Sequence, residues 1–290
     1  FYLGLGVWVF AGLLLVSFSG LIFLLDMPIH RIGTIMAPLI IRSATSWELS
    51  AIPMFVWMGE IMFRTDISNR LFRGLSPIVH YLPGRLLHTN VIGSALFAAV
   101  SGSSAATTAT VGKITTTELL KRNYSKSLAF GSLAGAGSLG LLIPPSIVLI
   151  VYGVLAEVSI SRLFAAGVYP GILIATLYSG YIMIRCLINP SLAPTLEEKP
   201  TFKDIAFGLI NLIPITILII IVLGSIYSGI ATPSEAAAVG VLATIILTVL
   251  TRQLSMEVFL DSLMGAVRTS CMIASILLAA AFLSTSMAFL

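Results

Sequence analysis

Charge is what this sequence has least of. Asp, Glu, Lys and Arg together make up 10% of its 290 residues, against roughly 25% in a soluble globular domain. More than half of an ordinary solvated surface is missing, which excludes a soluble enzyme, a nucleic-acid binder and a disordered tail. Cys186 and Cys271 are the two cysteines, too few for a disulfide framework and too far apart for a metal knuckle, so both read as small packing residues. His30, His80 and His88 fall in loops or at hairpin edges, where none can serve as the base for a membrane serine nucleophile. No His/Glu or Cys cluster has zinc spacing, and the mid-span acids or lysines of a proton relay are nearly absent. The chain reads as a non-enzyme.

What the sequence does have is apolar length. Hydrophobic residues make up 58% of it and the mean hydropathy is +1.06. A transmembrane helix needs about 20 predominantly apolar residues, and residues 1–25, 163–188, 205–226, 233–251 and 262–290 qualify, with a shorter run at 49–63. The first run has neither a basic flank nor a cleavage site, so it reads as a span rather than a signal peptide. Phe1 is not a methionine and the last apolar run is cut short at Leu290, so the chain reads as a segment of a longer protein. A polar linker, residues 189–204, separates two groups of spans.

Two stretches behave differently from simple spans. Residues 89–112 lack acidic and basic side chains but are rich in Gly, Ser and Thr. Residues 127–157 are apolar but interrupted by Gly135, Gly137 and Gly140 and then by Pro144-Pro145. Adjacent prolines remove two backbone donors and clash with the preceding turn, so a continuous helix is not expected there. Charge placement decides how the first stretch sits. If it is a re-entrant hairpin, entering and leaving on one side, the segments 64–88, 113–126, 185–204 and 252–268 share a face. That face then carries all but Arg31, Arg42 and Arg162 of the 16 basic residues, as the positive-inside rule expects. A crossing at 89–112 would dissolve the bias. The re-entrant reading is the consistent one.

Thr45-Ser-Trp-Glu48 and Thr232-Pro-Ser-Glu235 both have the spacing of a capping box ahead of an apolar run. Their separation invites a repeat reading. That register would place a second hairpin from residue 276 onward, where the sequence lacks glycine, so the register itself does not hold.

Irregular backbone survives at membrane depth only where protein or a water-filled cavity satisfies it. A turn at Ser101–Ser104 frees carbonyls and adds hydroxyls, a set of oxygens that suits a hard cation such as Na⁺. A half-helix starting near Ser104 presents its positive end to an anion. An unwound segment at Gly140–Ile143, followed by Pro144 and Pro145, exposes further carbonyls. Two broken elements of this kind mark a transporter site at the midplane. The plainer readings are small residues that only mediate helix packing and a simple proline kink. The expected ion ligands are Ser101, Gly102, Ser103, Ser104, Gly140, Ile143 and Pro144; those expected to face a solute are Ser104, Thr107, Thr108, Ser138 and Pro145. Glu60, the one carboxylate within an apolar span, lies four residues before Arg64 and reads as half of an interfacial ion pair. Asp26, Asp66, Asp204, Asp261 and the other glutamates read as loop residues.

The motifs VSGSSAATTATVG, KRNYSKSLAFGSLAGAGSLGLLIPPSIVLIVYG, AGVYPGI (166–172) and GIATPSEAAAVG (229–240), in this order, resemble the large membrane subunit of tripartite ATP-independent periplasmic (TRAP) transporters. The resemblance covers nearly the whole chain and is closest in wording to members that carry sialic acid, with dicarboxylate carriers sharing the motifs. It implies an all-α polytopic membrane protein of the bacterial inner membrane, an elevator-type fold of two inverted repeats, and Na⁺-driven uptake. The implied partners are a soluble periplasmic substrate-binding protein and a small four-helix membrane subunit, fused to the large one in some members. The organisation expected on this basis is first-repeat scaffold over residues 1–88 and a transport part over 89–157. Within the latter, the hairpin occupies 89–120 and the broken helix 127–157. A span and linker follow at 158–204, and a second repeat begins at 205–290, its hairpin lying beyond Leu290. The alternative from another class is a structural or assembly subunit of a membrane complex, in which the hairpin only packs.

Overall fold

The long apolar runs become the long helices of this chain, even across the single prolines Pro170 and Pro214, whereas Gly102 and the adjacent Pro144-Pro145 stand where helices end. The computed structural model describes residue 4, residues 6–194 and residues 200–289. Among the described residues there are helices and turns but no strand. Ahead of the polar linker lie α1 (Val9–Phe23), α2 (Ile29–Ala44), α3 (Ala51–Arg64), α4 (Ile67–Val79), α5 (His88–Ser101) and α6 (Ser104–Lys121). Next come α7 (Lys126–Gly137), α8 (Leu139–Leu142), α9 (Ile147–Leu155) and α10 (Ile160–Ile188). After the linker follow α11 (Phe202–Tyr227), α12 (Pro233–Leu250) and α13 (Met256–Phe289). The broken run from Lys126 to Leu155 and the helices α10 to α13 are each long and apolar enough to cross a bilayer. Helix α10 exposes large apolar side chains, among them Tyr169, Leu173, Leu177 and Leu187.

Polar links define the two ends of the bundle. At one end Asp66 N–H donates to Gln253 Oε1 at 2.8 Å and Arg64 pairs with Asp261 at 3.4 Å. There too Tyr81 Oη donates to the Pro200 carbonyl at 3.2 Å. This is the basic end. At the other end Ser234 Oγ donates to the Trp47 carbonyl at 3.2 Å, and Arg42 pairs with Glu157. Both α3 and α12 run from the second end to the first, so they are parallel. Inverted repeats require equivalent helices to run oppositely, which rules out the spacing between the two Thr-x-x-Glu motifs as a repeat register. The uninterrupted helix α13 through residues 276–289 rules it out independently.

Several expectations need correction. Among the described residues the first run contributes the 15 residues of α1, about 22 Å at 1.5 Å per residue. The segment 64–88 is not a loop: it contains α4, whose buried Ile67, Leu71 and Leu75 follow helical spacing. Lys113 lies inside α6, and Asp261 and Arg268 inside α13. Thr45 starts no helix. It ends α2, its hydroxyl donating to the Ile41 carbonyl at 2.8 Å, while Glu48 accepts from Ser46 Oγ. The Thr232–Glu235 box does form, and a further one joins Thr201 and Asp204. The centre of the linker, including Lys199, lies outside the described residues, as do Phe1 and Leu290.

Small residues set the closest approaches, as lipid-embedded helices require. Helix α4 lies against α11 with Gly74 facing Gly208: a Cβ on Gly208 would sit 2.8 Å from the Gly74 carbonyl oxygen. Helix α3 is held on three sides by the same device. Gly265 of α13 admits the Glu60 carboxylate, Gly240 of α12 admits Met58, and Gly59 itself lies against Ser101. Arg64 bonds Glu60 at 3.3 Å, so the expected i,i+4 pair is present and is extended to Asp261.

Candidate functional site

The chain enters and leaves the α5–α6 hairpin at one end of the molecule. Arg85, just before α5, donates to the Pro194 carbonyl at 3.2 Å. Ser125, just after α6, donates through its N–H to the Leu192 carbonyl at 3.1 Å. The same short segment therefore anchors both limbs. With 14 and 18 residues the limbs reach about 21 and 27 Å, less than a crossing but well past its middle. The first limb is fastened to α7 by Asn90, whose Nδ2 donates to the Ala129 carbonyl and to Ser132 Oγ at 3.0 and 2.8 Å.

The tip is built by two residues with non-helical backbone. Gly102 has φ 62°, the left-handed conformation that ends α5 and that glycine adopts without steric cost. Ser103 is extended and caps α6, its Oγ accepting from Ala106 N–H at 3.3 Å. Ser101 and Thr107 close the hairpin from within through a 3.0 Å hydroxyl–hydroxyl bond; both side chains are buried.

The break in the second element falls at Ile143–Ser146, around the two prolines and later than the expected Gly140–Ile143, because Gly140–Leu142 belong to α8. Pro144 and Pro145 have no N–H to return to Gly140 and Leu141, and α8 stops at Leu142. Leu141 is nevertheless satisfied, because Ser146 Oγ donates to its carbonyl at 2.8 Å. The Leu142 carbonyl turns to Gly167 of α10, and Ile143 packs on Gly171. The Gly140 carbonyl loses its helical donor to Pro144, and that of Ile143 loses its own because Ile147 N–H goes to Gly102 O.

The two broken elements are seated in each other. Ile147, the first residue of α9, donates its N–H to the Gly102 carbonyl at 3.1 Å. A Cβ on Gly102 would meet the Pro145 carbonyl at 2.7 Å, and one on Gly140 would meet the backbone of Ser103 and Ser104 at 2.7–2.8 Å. Lower down, Gly137 makes room for Thr108. The N-terminus of α6 thus lies against Gly140 of α8, while Gly102 lies against the unwound Pro145. The oxygens that these residues carry are neutral carbonyls and hydroxyls: the last carbonyls of α5, which have no intrahelical partner beyond Ala98, the Gly140 carbonyl and Ser103 Oγ. Such a set fits a hard monovalent cation.

The expected residues divide accordingly. Ser101, Gly102, Ser103, Ser104, Gly140 and Pro145 meet at one point, and Pro144 is buried beside them. Ile143 faces α10 instead. Thr107 faces back onto Ser101, and Thr108 is half-buried with its hydroxyl donating to the Ser104 carbonyl at 2.8 Å. Ser138 points the other way, to the Gly135 carbonyl and to Tyr178 Oη of α10. Sequence reasoning missed Gly59, Gly137, Ser146 and Ile147. The glycines were visible in the sequence, but their partners are long-range.

A profile of the tripartite ATP-independent periplasmic transporter DctM component matches residues 2–290. The chain belongs to this TRAP transporter family. Similar proteins include a C4-dicarboxylate TRAP transporter large permease of Vibrio cholerae, 34% identical over 76% of this chain and 48% of that protein. A 2,3-diketo-L-gulonate TRAP transporter large permease of Escherichia coli is 34% identical over 90% and 60%. A sialic acid TRAP transporter large permease of V. cholerae is 33% identical over 79% and 53%. The chain therefore spans about half the length of these relatives. The three identities differ too little to single out sialic acid. As a TRAP large permease the chain is a multi-pass protein of the bacterial inner membrane.

Proposed function

We propose that this TRAP-family chain is the hairpin-bearing part of a Na⁺-coupled secondary transporter that imports an acidic organic solute. The observation that carries the reading is the seat of one broken element in the other, Ile147 N–H on Gly102 O at 3.1 Å with Gly140 against Ser103–Ser104. A neutral oxygen set binds Na⁺ at Ser101, Gly102, Ser103 and Gly140, and the α6 N-terminus offers N–H donors to a carboxylate near Ser104 and Thr108. The solutes in the relatives' names, C4-dicarboxylates, 2,3-diketo-L-gulonate and sialic acid, all carry a carboxylate. That shared group is the solute class proposed here, with sialic acid and C4-dicarboxylates the first to be tried.

The helix N-terminus is worth roughly 0.3–1 kcal/mol to an exposed anion and up to ~2 when partly buried, too little to concentrate solute alone. The sodium gradient supplies the driving force. A soluble periplasmic binding protein delivers the solute, and a small four-helix membrane subunit completes the assembly. The hairpin and broken helix move together against α3, α12 and α13, an elevator-type motion with the basic end in the cytoplasm. Uptake of radiolabelled sialic acid or succinate by the full-length protein in proteoliposomes is the test. Uptake that needs both an inward sodium gradient and the binding protein supports the proposal. Uptake driven equally by choline, or none with any carboxylate, refutes it and favours the assembly-subunit reading.

A further inference from the structure

At the end away from the basic residues lies a cavity of about 830 Å³, whose lining includes Arg42, Trp47, Glu157, Ser159 and Ser284. Arg42 stands in the last turn of α2. Its Nη2 meets Glu157 Oε1 at 2.5 Å across 115 residues of sequence. Both side chains remain mostly exposed, 79% and 71%, so the pair sits at the cavity's rim and not on its floor. Glu48, the other acid in the lining, does not compete for Arg42. Its carboxylate accepts from Ser46 Oγ at 2.8 Å, and hydrogen bonds from its own backbone N–H and from Ser46 hold its pKa below the ordinary carboxylate range.

The backbone at Glu157 is the second, independent observation. Its φ is 54°, in the turn that ends α9, where Val158 N–H returns to the Gly153 carbonyl. Glycine is the usual residue at such a left-handed helix end because it has no Cβ to clash. A glutamate there accepts a steric cost and places a carboxylate on Arg42. Helix α9 connects this pair directly to the candidate site. It is nine residues long, about 13 Å, with Ile147 on the hairpin tip at one end and the Glu157 turn at the other.

We propose that Arg42 and Glu157 form a latch across the mouth of this cavity. Closed, it ties the outer end of the broken helix to α2. Displacement of α9 as a rod breaks the pair and opens the cavity to the outer side. The latch rests on the transport reading only for its consequence, and its test reads accessibility, so the two can fail separately.

The experiment uses the full-length protein in proteoliposomes, with Cys186 and Cys271 replaced by serine and Ala281→Cys, at a half-buried position of the cavity lining, as reporter. The labelling rate is measured with an impermeant maleimide applied from the outside. Arg42→Ala and Glu157→Gly should each raise the rate about two- to fivefold, the range of an exposed ion pair. Arg42→Glu combined with Glu157→Arg should restore the slow rate. High salt should speed the unmodified pair and leave the single variants unchanged, because screening acts on exposed charges. Glu157→Gly should keep or raise the melting temperature, since glycine suits the left-handed backbone, while still opening the cavity. Unchanged labelling in both single variants, failure of the reversed pair to restore it, or opening in Glu157→Gly only with loss of stability would each overturn the latch. So would an effect confined to docking of the soluble binding protein.

Discussion

Gly140→Ala probes the contact on which the candidate site depends. The added Cβ would lie 2.7 Å from Ser104 N and 2.8 Å from Ser103 C and Ser104 Cα, all backbone atoms. Ordinary contact begins near 3.4 Å, so the hairpin tip must retreat by about 0.7 Å. That retreat strains the Ile147–Gly102 bond, which at 3.1 Å is already near the long end of the N–H···O range. Overpacking costs about 1–3 kcal/mol and weakening of that bond up to about 1 kcal/mol. The gain in helix propensity from Gly to Ala, up to ~1 kcal/mol, offsets part of this. The control is Gly131→Ala in α7, where an added Cβ meets nothing within 4 Å. Sodium-driven uptake in proteoliposomes and melting temperature in detergent should be read side by side. Gly131→Ala should transport normally and melt no lower than the parent. Gly140→Ala should lose at least about tenfold in uptake and need more sodium for half-maximal rate, consistent with a loss of roughly 1.4 kcal/mol or more in ion binding. Uptake by Gly140→Ala with the parental sodium response would refute the claim that the seated tip forms the ion site.

Three further outcomes are expected. Ser103→Ala removes the N-cap of α6 and should lower stability by about 0.5–2 kcal/mol. Ser103→Asn, which keeps a capping oxygen, should recover that stability in thermal melts without necessarily recovering the sodium response. Gly208→Leu drives a side chain into the Gly74 carbonyl and should destabilise by about 1–3 kcal/mol; a melt at or above the parental temperature would show that the α4–α11 contact is loose. Cysteines placed at Arg85 and Lys121 should be labelled by an impermeant reagent from the same, cytoplasmic side. Labelling from opposite sides would turn the hairpin into a crossing.

The two elements of the candidate site stand out in the sequence because both break a rule that ordinary spans obey. The stretch around Ser101–Ser104 is too polar and too small to be a plain lipid-facing helix, and Pro144-Pro145 cannot continue one. Charge placement put the hairpin's two ends on one side, and in the structure Arg85 and Ser125 are both anchored on residues 192–194. The phase of the helices leaving the tip was not readable. Each residue turns a helix by about 100°, and although α6 starts at Ser104 as expected, the side of it that faces Ser101 was not readable, so the inward Thr107 could not be told from the half-buried Thr108. Ser138 was misjudged for the same reason, since its partner Tyr178 comes from α10. The Thr45 motif failed because a capping box needs an extended Thr ahead of the helix, and α2 already holds that residue at its own end. Helix α4 was hidden by its Arg and Asn residues, which depress hydropathy while leaving the 3.6-residue spacing of Ile67, Leu71 and Leu75 intact.

The central claim is that Na⁺ binds where the hairpin tip meets the break. Its most direct test is the rate at which Ser104→Cys, in the full-length protein with Cys186 and Cys271 replaced, reacts with a small thiol reagent in sodium and in choline without solute. The seated geometry predicts that sodium slows the reaction, with a concentration dependence that weakens in Gly140→Ala. Equal rates in the two salts across the whole concentration range would contradict it.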